Sequence, residues 1–305
     1  MPLFEMNNEK LEPIKKVSFP LEKDMQKLTE DNLDTVFNLE FVASEFQLNN
    51  LRIDTLGYDV ESNAFVIIEY KKTRNFSVID QGYAYLALLL NNKADFILEY
   101  NEKMDKSLKR EDIDWSQSRV LFVAPNFTNH QKGAIEFKDL PMELWEIAKY
   151  DNDTVLFNQL RSPDSNESIE TISSKNAKIK DVTQEVKVYK EEDLIKNASN
   201  EAVIEVYNKL KDNILNLDED IKFNVTKAYF SFSLNSIFTY LIINQKNIFL
   251  AINFKKRGRL NDPKSLAEPS KHTGWGKHAY TFVVNPDDDL NYAMDLIRQA
   301  YEKNS

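Results

Sequence analysis

The chain of 305 residues contains no cysteine. That absence excludes thiolate metal sites, cysteine nucleophiles and disulfides, and it fits a reducing cytoplasm. Long apolar runs are missing as well. The longest, Tyr83 to Leu90, falls far short of the roughly 20 residues that a membrane-spanning helix needs. The amino-terminal stretch MPLFEMNNEKLEPIKK is charged and has no apolar centre, so no signal peptide is expected. Histidine is scarce. His272 and His278 lie close in sequence but have no cysteine nearby, a poor arrangement for zinc. Positive charge is also in short supply, with 39 Lys and Arg against 49 Asp and Glu, a net −10. A general nucleic-acid coat uses excess cations to displace counterions, and this composition argues against one. An enzyme with an acidic centre and local basic patches remains compatible, because the field at the site is what a substrate meets. The expectation is a soluble, cytoplasmic protein with no membrane partner.

What is present is the composition of a globular protein, 42% apolar and 29% charged, long enough for two domains. Residues 22–37 carry Met25, Leu28, Leu33, Val36 and Phe37 near helical spacing, with a break expected near Thr29. Extended runs follow at Phe41 to Phe46, Leu51 to Tyr58 and Phe65 to Tyr70. The last (FVIIEY) is almost continuously apolar, as a strand buried on both faces would be. A polar turn, DVESNA, separates it from the run before it. Val78 to Asn91 is Leu- and Ala-rich and long enough for a helix on that sheet. Ala94 to Tyr100 and Arg119 to Phe127 read as further strands, His130 opens a short helix, and Glu143 to Tyr150 with Thr154 to Leu160 read as a closing hairpin. The expected fold is an α/β mixed sheet with flanking helices over residues 1–160. Residues 161–190, rich in Ser, Asn, Lys and Asp, read as a polar linker. A smaller α+β domain is expected over 191–305: a helix from Glu191 to Leu217, strands at Ile221 to Ser233, Ile237 to Asn244, Ile248 to Phe254 and Ala279 to Val284, and a helix from Asp287 to Glu302.

The chemistry concentrates in Arg52 to Lys71, RIDTLGYDVESNAFVIIEYK. Strand side chains alternate with period two, so Glu69 and Lys71 share a face, and the hairpin brings Asp54 beside them. Two carboxylates with open coordination positions suit Mg²⁺, a hard cation that prefers oxygen and keeps several waters. Such an ion supplies a hydroxide near neutral pH and neutralises a phosphate, while an adjacent ammonium orients the water or steadies developing charge. The plain alternative is a surface ion pair between Glu69 and Lys71. It sits badly with the apolar FVII directly before them, because charges at the end of a buried strand are costly.

Asp, then a hairpin, then Glu-x-Lys resembles the PD-(D/E)XK nuclease superfamily, in the variant where Arg-Ile-Asp replaces Pro-Asp; the likeness spans about residues 20 to 160. It implies a restriction-endonuclease-like fold and a DNA endonuclease acting in repair or restriction-like defence. Asp54 and Glu69 would bind Mg²⁺ (or Mn²⁺), and Lys71 would assist the water. Many members place a Glu on the preceding helix, for which Glu30 is first choice, with Asp34 one turn later and Glu45 a rival on the preceding strand. Some add Gln-x-x-x-Tyr after the Lys, matched here by Gln81 and Tyr85, an i, i+4 pair on one helical face. Lys72 and Arg74 follow where a phosphate backbone would pass. The resemblance also admits a homodimer.

Residues 251–280 reverse the chain's charge, with seven cations against two anions for a local +5. Lys255, Lys256, Arg257, Arg259 and Lys277 there mix with Trp275, which suits a phosphate-rich or base-stacking partner. A solvated loop with Trp275 capping a small core is the plainer reading. The stretch Lys-His-x-Gly-Trp-Gly-Lys-His and the closing helix resemble a small domain of unknown function sometimes labelled a predicted transport protein. Two other functions follow as alternatives: a nuclease-like fold that binds nucleic acid or protein without cutting, and a transport-associated small-ligand module.

Overall fold

The computed structural model describes residues 3–49, 51–72, 77–135, 140–160, 182–183, 185–186, 189–234, 236–254, 260–271, 275 and 278–304. The chain divides into two compact units, Met1–Lys187 and Val188–Ser305.

The first unit opens with a hairpin of β1 (Leu3–Asn7) and β2 (Lys10–Ile14), followed by β3 (Lys16–Val17). The sequence reading missed this hairpin. Its two turn residues, Asn8 and Glu9, both have positive φ, and Glu does not announce such a turn as Gly would. Next come α1 (Glu22–Glu30) and α2 (Leu33–Phe37). The break falls at Asp31–Asn32, past Thr29, whose buried hydroxyl donates to the Met25 carbonyl at 2.8 Å and keeps that residue within α1. The central elements are β4 (Glu40–Leu48), β5 (Leu51–Asp59), β6 (Ala64–Tyr70), α3 (Val78–Asn91) and α4 (Lys93–Met104). Then follow β7 (Arg119–Ala124), α5 (Asn129–Ala134), β8 (Met142–Tyr150) and β9 (Val155–Leu160).

Ala94 to Tyr100 is helical, inside α4, and not a strand. Phe96 and Tyr100, spaced i, i+4, are the buried residues, while Leu98 between them is 57% exposed. The run of adjacent apolar letters hid a helical period.

The strands form one mixed sheet in the order β3-β8-β7-β6-β5-β4, with β9 also paired to β8. β6, β7 and β8 run parallel, and β4, β5 and β6 antiparallel. Every residue of β6 is buried, as a central strand covered on both faces requires. One face packs Phe65, Ile67 and Phe122 against Leu86, Leu89 and Phe96 of α3 and α4. The other packs Val66, Ile68 and Leu121 against Met25 and Leu33 of α1 and α2. Val182 and Val186 join the first of these cores, so the stretch read as linker contributes two buried apolar side chains.

The second unit holds α6 (Glu191–Ile195) and α7 (Glu201–Leu215) in place of one long helix. Asn200 ends the run between them, its side chain accepting from Val203 N–H at 3.0 Å as an N-cap. The strands β10 (Lys222–Val225), β11 (Phe230–Ser233), β12 (Ile237–Ile243), β13 (Ile248–Asn253), β14 (Glu268–Pro269) and β15 (Ala279–Val284) make an antiparallel sheet, and α8 (Leu290–Asn304) closes the unit. Tyr207, Phe230, Leu250 and Ile297 anchor its core. Among the described residues no helix is long and apolar enough to cross a membrane.

Candidate active site

β5 and β6 pair with Thr55 opposite Ile68 and Leu56 opposite Ile67. The same register sets Asp54 alongside Glu69, on the face that α3 covers. Asp54 Oδ2 accepts from Tyr70 N–H at 3.1 Å, which fastens the carboxylate to the end of β6. The ladder runs one residue further, with Lys71 N–H donating to the Val123 carbonyl of β7 at 2.9 Å. Glu69 and Lys71 are therefore held on ordered backbone at the sheet's end.

Glu69 is almost wholly buried, its side chain 4% exposed. A carboxylate in that position must be paired and hydrogen-bonded. Oε1 takes Lys71 Nζ at 2.5 Å and Gln81 Nε2 at 2.7 Å, and Oε2 takes the Tyr85 hydroxyl at 2.7 Å. Gln81 Nε2 also lies 3.2 Å from the Tyr85 hydroxyl, which is 3.2 Å from the Arg52 carbonyl. Burial first, and then the charge of Glu69, push the Tyr85 phenol well above its ordinary value, so it stays a donor. One turn past the start of α3, Gly82 faces Met142. The Met142 thioether fills the space where a Cβ would stand.

Asp54 is different. Burial, then the charge of Glu69, raise its carboxyl from 3.8 to about 6, with Glu45 adding to the rise. Tyr70 N–H and Lys71 pull the other way and do not cancel it. Asp54 Oδ1 has no hydrogen-bond partner among the described residues. The site has an excess of negative charge and an open carboxylate oxygen. Among the described residues no group of three or more His, Asp or Glu side chains is gathered to hold a metal. Asp54 and Glu69 are two carboxylates that could hold a hard cation such as Mg²⁺ if water and backbone carbonyl completed its shell.

The other acids named from the sequence lie around this centre. Glu30, last in α1, accepts from Thr55 Oγ1 at 2.5 Å and from Gln26 Nε2 at 3.0 Å. Thr55 faces the opposite side of β5 from Asp54, so Glu30 belongs to a neighbouring network. Gln26 links the two, because its amide also donates to the Asp54 carbonyl at 2.9 Å. Among the described residues the Asp34 carboxylate bonds only locally, to Thr35. Glu45 pairs with Arg52 Nη1 at 2.8 Å. Gln26 and Arg52 were not singled out from sequence. A glutamine on the buried side of α1, and an arginine two residues before Asp54, were the available signals.

Lys72, placed beside a phosphate path by the sequence reading, is tied back to its own chain: its N–H donates to Glu22 Oε2 at 2.6 Å and its ammonium to the Pro20 carbonyl. In the second unit Trp275 packs edge-on against Tyr240 at 4.7 Å and Tyr229 at 5.2 Å, which makes it part of a small aromatic cluster. Arg74, Lys255, Lys256, Arg257, Arg259 and Lys277 lie outside the described residues.

Residues 191–304 match a domain of unknown function, DUF5655. Two solved structures are similar to part of the chain: a repair endonuclease from Pyrococcus abyssi (16% identity, TM-score 0.26) and EndoMS in complex with double-stranded DNA (18%, TM-score 0.25). Each covers 43% of this chain, and the match spans about half of those proteins, 49% and 47%. Scores that low carry no weight for fold or activity. A protein of Haemophilus influenzae described as uncharacterized is 44% identical over 301 residues, covering 98% of this chain and 99% of that one. Identity of that extent shows common descent along the whole length, and the chain belongs to the family of that Haemophilus influenzae protein.

Proposed function

We propose that the first unit is a metal-dependent nuclease that hydrolyses phosphodiester bonds in DNA as an endonuclease. The carrying observation is the contrast between two carboxylates on one face: Glu69, fixed by Lys71, Gln81 and Tyr85, and Asp54 beside it with an open oxygen and a raised proton affinity. Asp54 and Glu69 would hold Mg²⁺ or Mn²⁺. When bound, such an ion lowers the pKa of a water and neutralises charge on the scissile phosphate.

The protein's own part is positioning. Three donors hold the Glu69 carboxylate in one orientation, and Tyr70 N–H holds Asp54 in another. Little reorganisation then remains when substrate arrives. Lys71 keeps its ammonium at the mouth of the buried pair, its side chain 20% exposed, where it orients a water and offsets charge developing on phosphate oxygens. Gln81 and Tyr85 supply two of the donors that a buried carboxylate needs. The second unit serves this reading as a recruiting module for substrate or a protein partner.

The test is cleavage of plasmid, linear duplex and single-stranded DNA in Mg²⁺, Mn²⁺ or EDTA, beside the double variant Asp54→Ala/Glu69→Ala. The expected result is metal-dependent cutting of plasmid that falls by at least about a thousandfold in the variant. Cutting that persists in the variant would remove the site, and a wild type that neither cuts nor binds metal would remove the enzyme.

A further inference from the structure

We infer that Arg52 is the substrate-phosphate contact of this site, held ready by Glu45. The inference rests on the phosphodiester reading above and names the group that receives the substrate's charge.

The site's own charges pose the problem. Asp54, Glu69 and Glu45 would repel an approaching phosphodiester. Of the nearby cations, Lys71 is engaged with Glu69, and Lys72 is tied to Pro20 and Glu22. Arg52 differs from both. It lies two residues before Asp54 on β5 and pairs with Glu45, whose charge reaches Asp54. That side chain is 57% exposed, and its ion pair among the described residues is to Glu45, with Nη1 2.8 Å from Oε2. The remaining donors of the planar fork have no partner among the described residues. A fork of this kind matches two phosphate oxygens at once, as an ammonium cannot.

The Arg52 carbonyl lies 3.2 Å from the Tyr85 hydroxyl, whose proton goes to Glu69, so the backbone of Arg52 sits beside the centre. The guanidinium is held by Glu45, and Glu45 is held in an unusual way. It sits within β4 with φ 54, a left-handed conformation that side chains other than Gly and Asn avoid. Pairing is regular on either side, Ser44 with Thr55 and Phe46 with Ile53, so no residue is inserted. Glu45 leaves the ladder here, as Val42 does at a bulge nearer the start of this edge strand, and its carboxylate meets Arg52. The strain is local to the residue that positions the arginine.

The full-length chain tests this with fluorescent duplex and single-stranded DNA in EDTA, titrated across a salt series, and with cleavage kinetics in Mg²⁺. Arg52→Ala is expected to weaken binding about tenfold and to lower the slope of log K against log salt by about 0.9 on duplex, the signature of one lost phosphate contact. Arg52→Lys should keep the slope and recover part of the affinity. Glu45→Gln should bind more tightly, since its amide oxygen still accepts from the guanidinium while the competing negative charge is gone. In Mg²⁺, Arg52→Ala should raise KM more than it lowers kcat. If Arg52→Ala keeps both affinity and slope while Asp54→Ala abolishes cutting, the inference is overturned and the nuclease stands. If the wild type neither binds nor cuts DNA, both fall. Should the alanine variant fail to fold, Arg52→Lys and Glu45→Gln decide the matter alone, and unchanged affinity in both overturns the inference.

Discussion

The two ends of the same β-strands in the first unit carry similar side chains and are finished differently. At one end Asp54 and Glu69 share a face with Lys71. At the other, Asp59, Glu61 and Glu143 gather around Arg119, which bonds Asp59 Oδ2 and Glu143 Oε1 at 3.0 Å each. That cluster is closed on itself. Asp59 Oδ1 caps the β5–β6 turn through Glu61 N–H and Ser62 N–H, and Glu143 Oε2 takes Trp145 Nε1 and Gln159 Nε2 at 2.9 Å. Burial pulls the Arg119 guanidinium down, but Asp59 and Glu143 more than offset this and hold it above its ordinary value. The Asp54 end has an oxygen without a partner among the described residues and a carboxyl held up to about 6. Counting acids does not separate a structural cluster from a reactive one. What separates them is whether every lone pair is satisfied within the fold.

The largest expected effect tests the closed end. Arg119→Ala leaves two partly buried carboxylates without their cation and should lower unfolding stability by about 2–4 kcal/mol, given that its side chain is 26% exposed. Urea denaturation measures this. The folded fraction should cut DNA as the wild type does. Loss of activity in a folded Arg119→Ala variant would break the comparison, because the closed end would then take part in chemistry.

Tyr85→Phe makes the opposite test at the open end. It removes one of three donors to Glu69 and little volume. Stability should fall by no more than about 1 kcal/mol, while cutting falls about ten- to a hundredfold, as for other groups that orient a ligand without touching substrate. A large stability loss with activity preserved would show that Tyr85 serves the core and would make the two ends alike.

How far the sequence alone discloses these ends follows from how each is built. Asp54, Glu69 and Lys71 come from one hairpin, and strand period with turn length is enough to gather them, as the structure does. Gln81 and Tyr85 follow on the next helix at i, i+4. Glu30 could be named but not placed, because which side of β5 it meets depends on how α1 packs. The left-handed Glu45 leaves no mark in the letters. The closed end draws Asp59, Glu61, Arg119 and Glu143 from separate strands and a turn, and only the parallel pairing of β6, β7 and β8 joins them. Local rules also read α4 as a strand, since the burial of Phe96 and Tyr100 is set by the sheet beneath it.

The smallest effect concerns protons and sharpens the comparison most finely. Both ends contain one carboxyl raised first by burial and then by a neighbouring acid: Asp54 to about 6, and Glu61, beside Asp59, to about 8. A raised carboxyl pKa favours the neutral form in the fold. The contribution of Glu61 is therefore fully present below its ordinary 4.5 and is lost as pH rises through about 8. Glu61→Gln, which cannot ionise, should be more stable than wild type by about 1–2 kcal/mol near pH 9 and level with it near pH 5, after allowing for partial solvent access. At this end added Mg²⁺ should change nothing, because Arg119 is the internal cation. At the other end ionised Asp54 is the group a cation would relieve, so Mg²⁺ should raise wild-type stability above about pH 6 and leave Asp54→Asn unmoved. A Mg²⁺ response that survives in Asp54→Asn but vanishes in Glu61→Gln would reverse the assignment and make the Arg119 cluster the open end.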